Sequence, residues 1–338
     1  MNRPEPNFDH LVRMTDELGT FEHAKHSTAR REHGYCTDDM ARVLVVTSRQ
    51  LDPSDTVKGL ARQALRFVAE AQGVDGRCLN RRDRSGQWHG SHTAEDCWGR
   101  SLWGLGTAAA RSTDGLVRQL ALARFERGAR QRSPWPRATA FAALGASEVA
   151  TAYPGNGAAA GLLADLAETA GGAAGGPSWP WPEPRLSYAN AVLPDSLMAV
   201  GAALGRQDLV DEGLALLTWL VAHETNDGHL SVTPVGGSTL GDSGPGFDQQ
   251  PIEVAALGDA CARASSLDPE GNWLSALDGA VDWFLGDNDV GAVMWDPLTG
   301  GGYDGLTADG PNLNQGTEST LAWISTMQHG LRFAGSAP

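Results

Sequence analysis

The chain has 338 residues, 41% of them hydrophobic and 20% charged, with a formal net charge of −15. That mixture belongs to a folded globular chain and excludes a disordered or fibrous one. So acidic a surface repels phosphate backbones and anionic lipid, which argues against nucleic acid or a membrane as partner. No apolar run approaches the roughly 20 residues needed to cross a bilayer. Met1–Asp9 is polar and lacks a leader-like apolar core, so a cytoplasmic protein is expected. Cys36, Cys78, Cys97 and Cys261 show no CxxC spacing and are expected as free thiols. Lys25 and Lys58 lie in no phosphate-loop or Schiff-base motif.

In chain order, an outer helix is expected over Phe8–Leu18, with Leu11, Val12 and Thr15 inward. An Ala-, Gly- and Val-rich segment begins near Asp38, and an amphipathic one covers Val57–Gln72, where Leu60, Ala64, Phe67, Val68 and Ala71 make one apolar face. Gly76–Trp88 reads as a small β-hairpin. Inner-type segments follow near Asp96, Ala138, Asp195, Ile252 and Glu318. Between them lie the outer-type segments Asp114–Gln131, Gly157–Thr169, Asp208–Glu224 and Asn272–Gly286. A second hairpin is expected within Val290–Leu306, and Gly171–Pro177 reads as a loop inside one domain. Inner-type segments, apolar on most sides, are normally buried all round. They recur every roughly 40–65 residues, the mark of a repeat architecture. Long Gly-, Trp- and Pro-rich connections precede them, unlike the short turns of a solenoid. The expectation is all-α: an (α/α)6 toroid of six helical hairpins with short β-hairpins in its loops, residues 1–338 forming one domain.

The unusual residues stand at the starts of the inner segments. They are Tyr35 with Asp38, Asp39 and Arg42; Asp96, Trp98 and Arg100; Trp135 and Arg137; Trp179, Trp181, Tyr188, Asn190 and Asp195; Asp248, Gln249, Gln250 and Glu253; and Gln315 with Glu318. Singly, such acids read as helix-dipole caps; Thr93 to Asp96 fits a capping box, and Pro251 a first helical position. Together they are what a sugar site requires, with aromatic faces for pyranose rings and amides, carboxylates and guanidinium groups for hydroxyls. Trp98, Trp103 and Trp219 also suit packing. One deep pocket is expected, lined by Tyr35, Asp39, Asp96, Trp98, Trp181, Tyr188, Gln250, Glu253 and Glu318.

Two carboxylates suffice for glycoside hydrolysis. A helix N-terminus suits the base by lowering its pKa, which points to Asp39 and Asp96. The acid needs a raised pKa, which partial burial would give Glu253 or Glu318. Carboxylates on different inner helices suit the wider spacing of an inverting enzyme. His89-x-x-His92 with Glu95 lacks a further ligand at matching spacing and reads as loop histidines; no metal or cofactor is expected. Arg42, Arg100 and Arg137 keep an anion site, and so phosphorolysis, open.

The stretches HGYCTDDMAR, FDQQPIEVAALGDA and NLNQGTESTLAW resemble a little-characterised bacterial glycosyltransferase-associated domain. The resemblance runs from about Phe8 to Trp323. It implies a glycosyltransferase partner and a mannoside or related oligosaccharide as substrate. More distantly the chain is similar to six-hairpin α/α-barrel glycoside hydrolases. The expected function is therefore an inverting glycoside hydrolase on an oligosaccharide. A phosphorolytic or glycosyltransferase-associated enzyme on the same sugars, and a non-catalytic sugar-binding partner, are the alternatives.

Overall fold

Helices that are apolar on every side are stable only inside a shell of other helices. In the computed structural model, which describes residues 3–169, 176, 178–242 and 244–334, six such helices form an inner ring. They are α2 (Thr37–Arg49), α4 (Asp96–Arg111), α6 (Pro136–Ala152), α8 (Val192–Leu204), α10 (Pro251–Leu267) and α12 (Thr317–Arg332). Each packs on two others in that order, and α12 returns to α2. Outside lie α1 (Asp9–Arg13), α3 (Asp55–Ala71), α5 (Gly115–Gly128), α7 (Gly157–Thr169), α9 (Gln207–His223) and α11 (Trp273–Leu285). These pack on α12, α2, α4, α6, α8 and α10 respectively. The expected toroid of six hairpins is the observed architecture. No helix among the described residues is long and apolar enough to cross a membrane.

Local chemistry sets the helix ends. The Ser54 hydroxyl accepts the Val57 N–H at 3.3 Å, and the Asp114 carboxylate accepts the Leu116 N–H at 2.9 Å. Pro136 and Pro251 open α6 and α10, where a missing N–H costs no bond. Neighbouring inner helices approach closely because small residues face each other. A Cβ on Gly106 would lie 2.2 Å from the Gly145 carbonyl oxygen, and one on Gly145 would lie 2.1 Å from that of Leu102.

Three expectations are corrected, and a fourth falls outside the described residues. The first outer helix spans only Asp9–Arg13, because the Asp16 carboxylate accepts the Leu18 N–H at 2.9 Å and turns the chain. His10, Leu11 and Met14 are buried there, while Val12 faces solvent. Thr93 makes no capping box: its N–H and C=O are committed to Cys78, and Glu95 is the N-cap of α4. Val290–Leu306 contains a single bridge, Trp295 to Gly302. The hairpin lies further on, where Gly305–Thr307 pairs antiparallel with Gly310–Asn312. The loop expected over Gly171–Pro177 falls, apart from Gly176, outside the described residues.

Nine short strands link the helices: β1 (Ala24–Lys25), β2 (Thr28–Ala29), β3 (Tyr35–Cys36), β4 (Arg81–Arg82), β5 (Trp88–His89), β6 (Thr225–Asn226), β7 (His229–Leu230), β8 (Gly305–Thr307) and β9 (Gly310–Asn312), counted among the described residues. β4 and β5 confirm the hairpin expected within Gly76–Trp88, whose second strand runs on to His89, and β3 joins it in order β3-β4-β5. The four cysteines are free and buried.

Candidate active site

Side-chain bonds run round one end of the ring, from the start of one inner helix to the next. Arg42 of α2 donates to Glu318 of α12 at 2.6 Å and to Asp39 at 2.7 Å. Arg100 of α4 stands 3.7 Å from Asp38 and 3.6 Å from Asp96. The Tyr188 hydroxyl donates to Asp96 at 2.9 Å. Arg137 of α6 grips both Glu183 oxygens at 2.7 Å, donates to Asn190 at 3.1 Å, and also bonds the Tyr188 carbonyl. Asn190 and the backbone N–H groups of Ala189 and Asn190 donate to Glu253 of α10. The polar clusters therefore share one end of the barrel.

Below this collar lies a narrow central cavity. Arg42, Arg100 and Glu318 stand at its upper end, and Asp195, Asp259 and Ser325 at its lower end. Arg42 and Arg49 are seven residues apart on α2, a rise of about 10 Å. Val46, Trp103, Phe141, Ile252 and Leu321 are among the apolar residues of its wall. The floor is closed by ion pairs. Asp195 pairs with Arg263, and Asp259 pairs with Arg49 at 3.0 Å and His329 at 2.7 Å. Asp195, expected at the mouth, is a floor residue, because α8 begins lower in the ring than its neighbours.

The collar carboxyls differ in state and access. Burial works to raise Glu318, but the Arg42 and Arg100 guanidinium groups outweigh it and hold this acid below its ordinary value. Glu318 nonetheless keeps 41% of its side-chain surface accessible. Asp38 and Asp96 are 20% and 25% accessible. Asp39 and Glu253 are fully enclosed. Burial pushes Asp39 up to about 6, partly offset by Arg42, and pushes Glu253 up to about 7 against its backbone donors. Both have structural work: Asp39 holds Arg42, and Glu253 holds the turn at Ala189, whose φ is +45°. Of the four catalytic candidates, Asp96 and Glu318 are partly accessible, while Asp39 and Glu253 are enclosed.

No protein-family model matches the sequence. No curated protein matches it either. Solved structures do resemble it. A sugar epimerase from a ruminal bacterium superposes with a TM-score of 0.69 at 12% identity, over 96% of this chain and 95% of that one. A D-mannose isomerase gives 0.65 at 12% identity, over 96% and 94%. A metagenome-derived glycoside hydrolase family 9 endoglucanase gives 0.62 at 14% identity, over 92% of this chain and 70% of that one. The fold is the (α/α)6 barrel. These likenesses carry the distant part of the sequence resemblance; the glycosyltransferase association rests on the sequence motifs alone.

Several expected sugar contacts have other partners. Tyr35 is buried, stacks on Phe21 at 4.7 Å and donates to the Asp16 carboxylate. Trp98 is buried and donates to the Gly128 carbonyl at 3.0 Å. Trp179 donates to the Glu183 carbonyl at 2.8 Å, and buried Trp181 stacks on Trp219 at 5.7 Å. Gln249 donates to Asp289 at 2.6 Å and accepts from Trp283 at 3.2 Å. Gln315 is buried between Asp296 and Thr299. Gln250 is half-buried at the N-cap of α10. Of the expected pocket lining, Glu318 borders the cavity, and Asp96 and Tyr188 flank its Arg100; Tyr35, Asp39, Trp98, Trp181, Gln250 and Glu253 do not line it.

Sequence reasoning missed Asn80, which donates to Asp38 at 2.9 Å. It also missed Glu224 after α9, pushed up to about 8 by burial and by Glu253. Neither carries a local signal, since each reaches its partners through space. Glu22, Cys36 and Asp39 bring ligand atoms within 4.8 Å of one another. Glu22 is already paired with Arg81 and Asp39 with Arg42. Burial and the nearby acids hold the Cys36 thiol far above its ordinary value, so this trio is poorly suited to a metal ion.

Proposed function

We propose that this protein hydrolyses a glycosidic bond of an oligosaccharide, with inversion. The observation that carries the reading is Glu318: an accessible carboxylate, deep in a ring of sugar-enzyme fold, kept ionised by two arginines. Such a group is suited to take a proton from water as the water attacks the anomeric carbon. Arg100 borders the cavity, stacked over Phe141 at 4.2 Å with 6% of its side chain accessible, and would offer a sugar hydroxyl what its carboxylate neighbours at 3.6–3.7 Å leave unused. Tyr188, Phe247 and Trp135 are 43%, 36% and 55% exposed and offer ring faces for stacking.

The collar also bears on the alternatives. Asp38, Asp39, Asp96 and Glu318 outnumber Arg42 and Arg100, while Arg137 is neutralised by Glu183. A phosphate would meet net negative charge here, which favours water over phosphate as the acceptor and a neutral sugar as the substrate. One observation favours a second reading, sugar epimerisation or isomerisation. An ionised Glu318 between guanidinium groups would equally suit proton abstraction beside a carbonyl, with the arginines holding the enediolate.

The deciding experiment incubates the protein with a panel of mannosides and glucosides in D2O and follows products by proton NMR. Hydrolysis releases a new reducing end, first in the inverted anomeric form, without deuterium at C2. Epimerisation places deuterium at C2 with every glycosidic bond intact, and that outcome would overturn the hydrolase reading.

A further inference from the structure

All six inner helices line the central cavity. On α12 the lining stripe is Glu318, Leu321, Ala322 and Ser325, and on α10 it is Ile252, Ala255, Ala256 and Asp259. Both follow the i, i+3, i+4, i+7 spacing of a single helix face. Ser325 therefore stands about 10 Å below Glu318 along α12. The cavity volume is about 50 Å³. A water molecule needs roughly 10–15 Å³ of such room, so about three fit and a pyranose ring does not.

The polar groups stand at the two ends of this space. Its middle is apolar, with Val45, Val46 and Leu144 in the wall, so water finds partners only at the ends. At the lower end the Ser325 hydroxyl donates to Asp259 at 3.1 Å. At the upper end Arg42 commits its terminal nitrogens to Glu318 at 2.6 Å and Asp39 at 2.7 Å. Its Nε is buried and has no hydrogen-bond partner among the described residues, although buried N–H groups nearly always have one. Arg42 is 8% exposed and borders the cavity. A water at the top of the cavity would accept that N–H and donate to Glu318.

We propose that the central cavity holds the water that attacks the sugar, beneath Glu318, while the sugar itself stays in the collar above. This rests on the hydrolase reading. The direction of attack fits inversion, because water arrives from the closed end of the barrel and the leaving group departs toward the open end. The water oxygen bonds to the anomeric carbon, and one of its protons goes to Glu318. The bond to the glycosidic oxygen breaks with its electron pair on that oxygen, which takes a proton from solvent at the mouth. Glu318 then returns its proton to solvent, so one water is consumed per bond cleaved.

Two substitutions in the apolar wall test this. Ala322→Val fills part of the cavity. The expected result is a loss of about 10²-fold in kcat, with KM within about twofold of wild type. Val46→Ala widens the cavity instead. In aqueous ethanol it should give a larger proportion of ethyl glycoside than wild type does, in the inverted form, as read by proton NMR. An unchanged kcat in folded Ala322→Val, or the same proportion of ethyl glycoside from Val46→Ala and wild type, would overturn the cavity as the place of the attacking water while leaving hydrolysis standing. If circular dichroism shows that Ala322→Val does not fold, the ethanol experiment decides alone. If wild type cleaves no member of the mannoside and glucoside panel, the hydrolase reading falls, and this assignment with it.

Discussion

Asp39 and Arg42 are one turn apart on α2, and their bond at 2.7 Å is made wholly inside the ring. Arg42 spends its other nitrogen on Glu318, so Asp39 acts on the site through Arg42 rather than on a ligand. Asp39→Asn should therefore lower kcat by about 10²-fold through misplacement of Glu318, with KM nearly unchanged. Steady-state kinetics on the substrate identified above test this; a rise in KM at constant kcat would instead put Asp39 in contact with sugar. The buried acids also set the pH dependence of stability. Asp39, Glu253 and Glu224 are raised to about 6, 7 and 8 by burial. Each favours the folded state when protonated, so that stability is complete below about pH 4 and is lost as pH rises through these values. Glu318 and Asp289 are lowered, so their contribution runs the other way and is lost on acidification. The melting temperature should peak near pH 4 to 5, where the lowered acids are ionised and the raised ones still protonated, and fall as pH rises to about 8. Glu224→Gln, which keeps an acceptor for Thr233, should flatten the fall between about pH 5 and 8 in scanning calorimetry.

At the scale of elements, the contact between α4 and α6 depends on missing side chains. Gly106 and Gly145 let the two backbones approach to a distance at which a methyl group would overlap a carbonyl oxygen. Gly145→Ala is helix-favouring in isolation by roughly 1 kcal/mol. In the ring it must push the helices apart, and overpacking of this kind costs about 1–3 kcal/mol. The net expectation is destabilisation, seen as a lower midpoint in urea with the helical circular dichroism retained. Gly161 on α7 has nothing within 4 Å of a built Cβ, so Gly161→Ala should leave the midpoint unchanged or raise it.

At the scale of the whole molecule, the ring closes where the segments around α1 and α12 meet. The His10 ring nitrogen bonds the Gln315 carbonyl at 2.8 Å, the Thr317 hydroxyl donates to the Phe21 carbonyl at 2.6 Å, and Arg3 pairs with Asp278. Leu11 and Met14 are fully buried in that seam. Leu11→Ala should cost about 2–5 kcal/mol, the range for emptying a buried leucine site, although its helix is only one short outer element. A melt within error of wild type would show that the seam is not part of the cooperative unit.

The amino-acid pattern by itself determined the helices and their roles. Ala- and Gly-rich segments can only be buried and charged-face segments can only lie outside, so six alternations imply a closed double ring. It also determined that acids, arginines and aromatic residues crowd the starts of the inner helices, since those positions are adjacent in the chain. Only the tertiary structure decided which of them face a ligand. A helix start presents successive side chains about 100° apart, and neighbours across the ring choose among them. Asp38 and Asp39 are consecutive, yet one meets Arg100 and Asn80 and the other is sealed behind Arg42. Trp98, Trp181 and Gln249 look the same in sequence as sugar contacts, but each has a partner in packing that lies 30 or more residues away. Such through-space partners leave no periodic trace, which is why the fold could be read from the chain and the site could be read only in part.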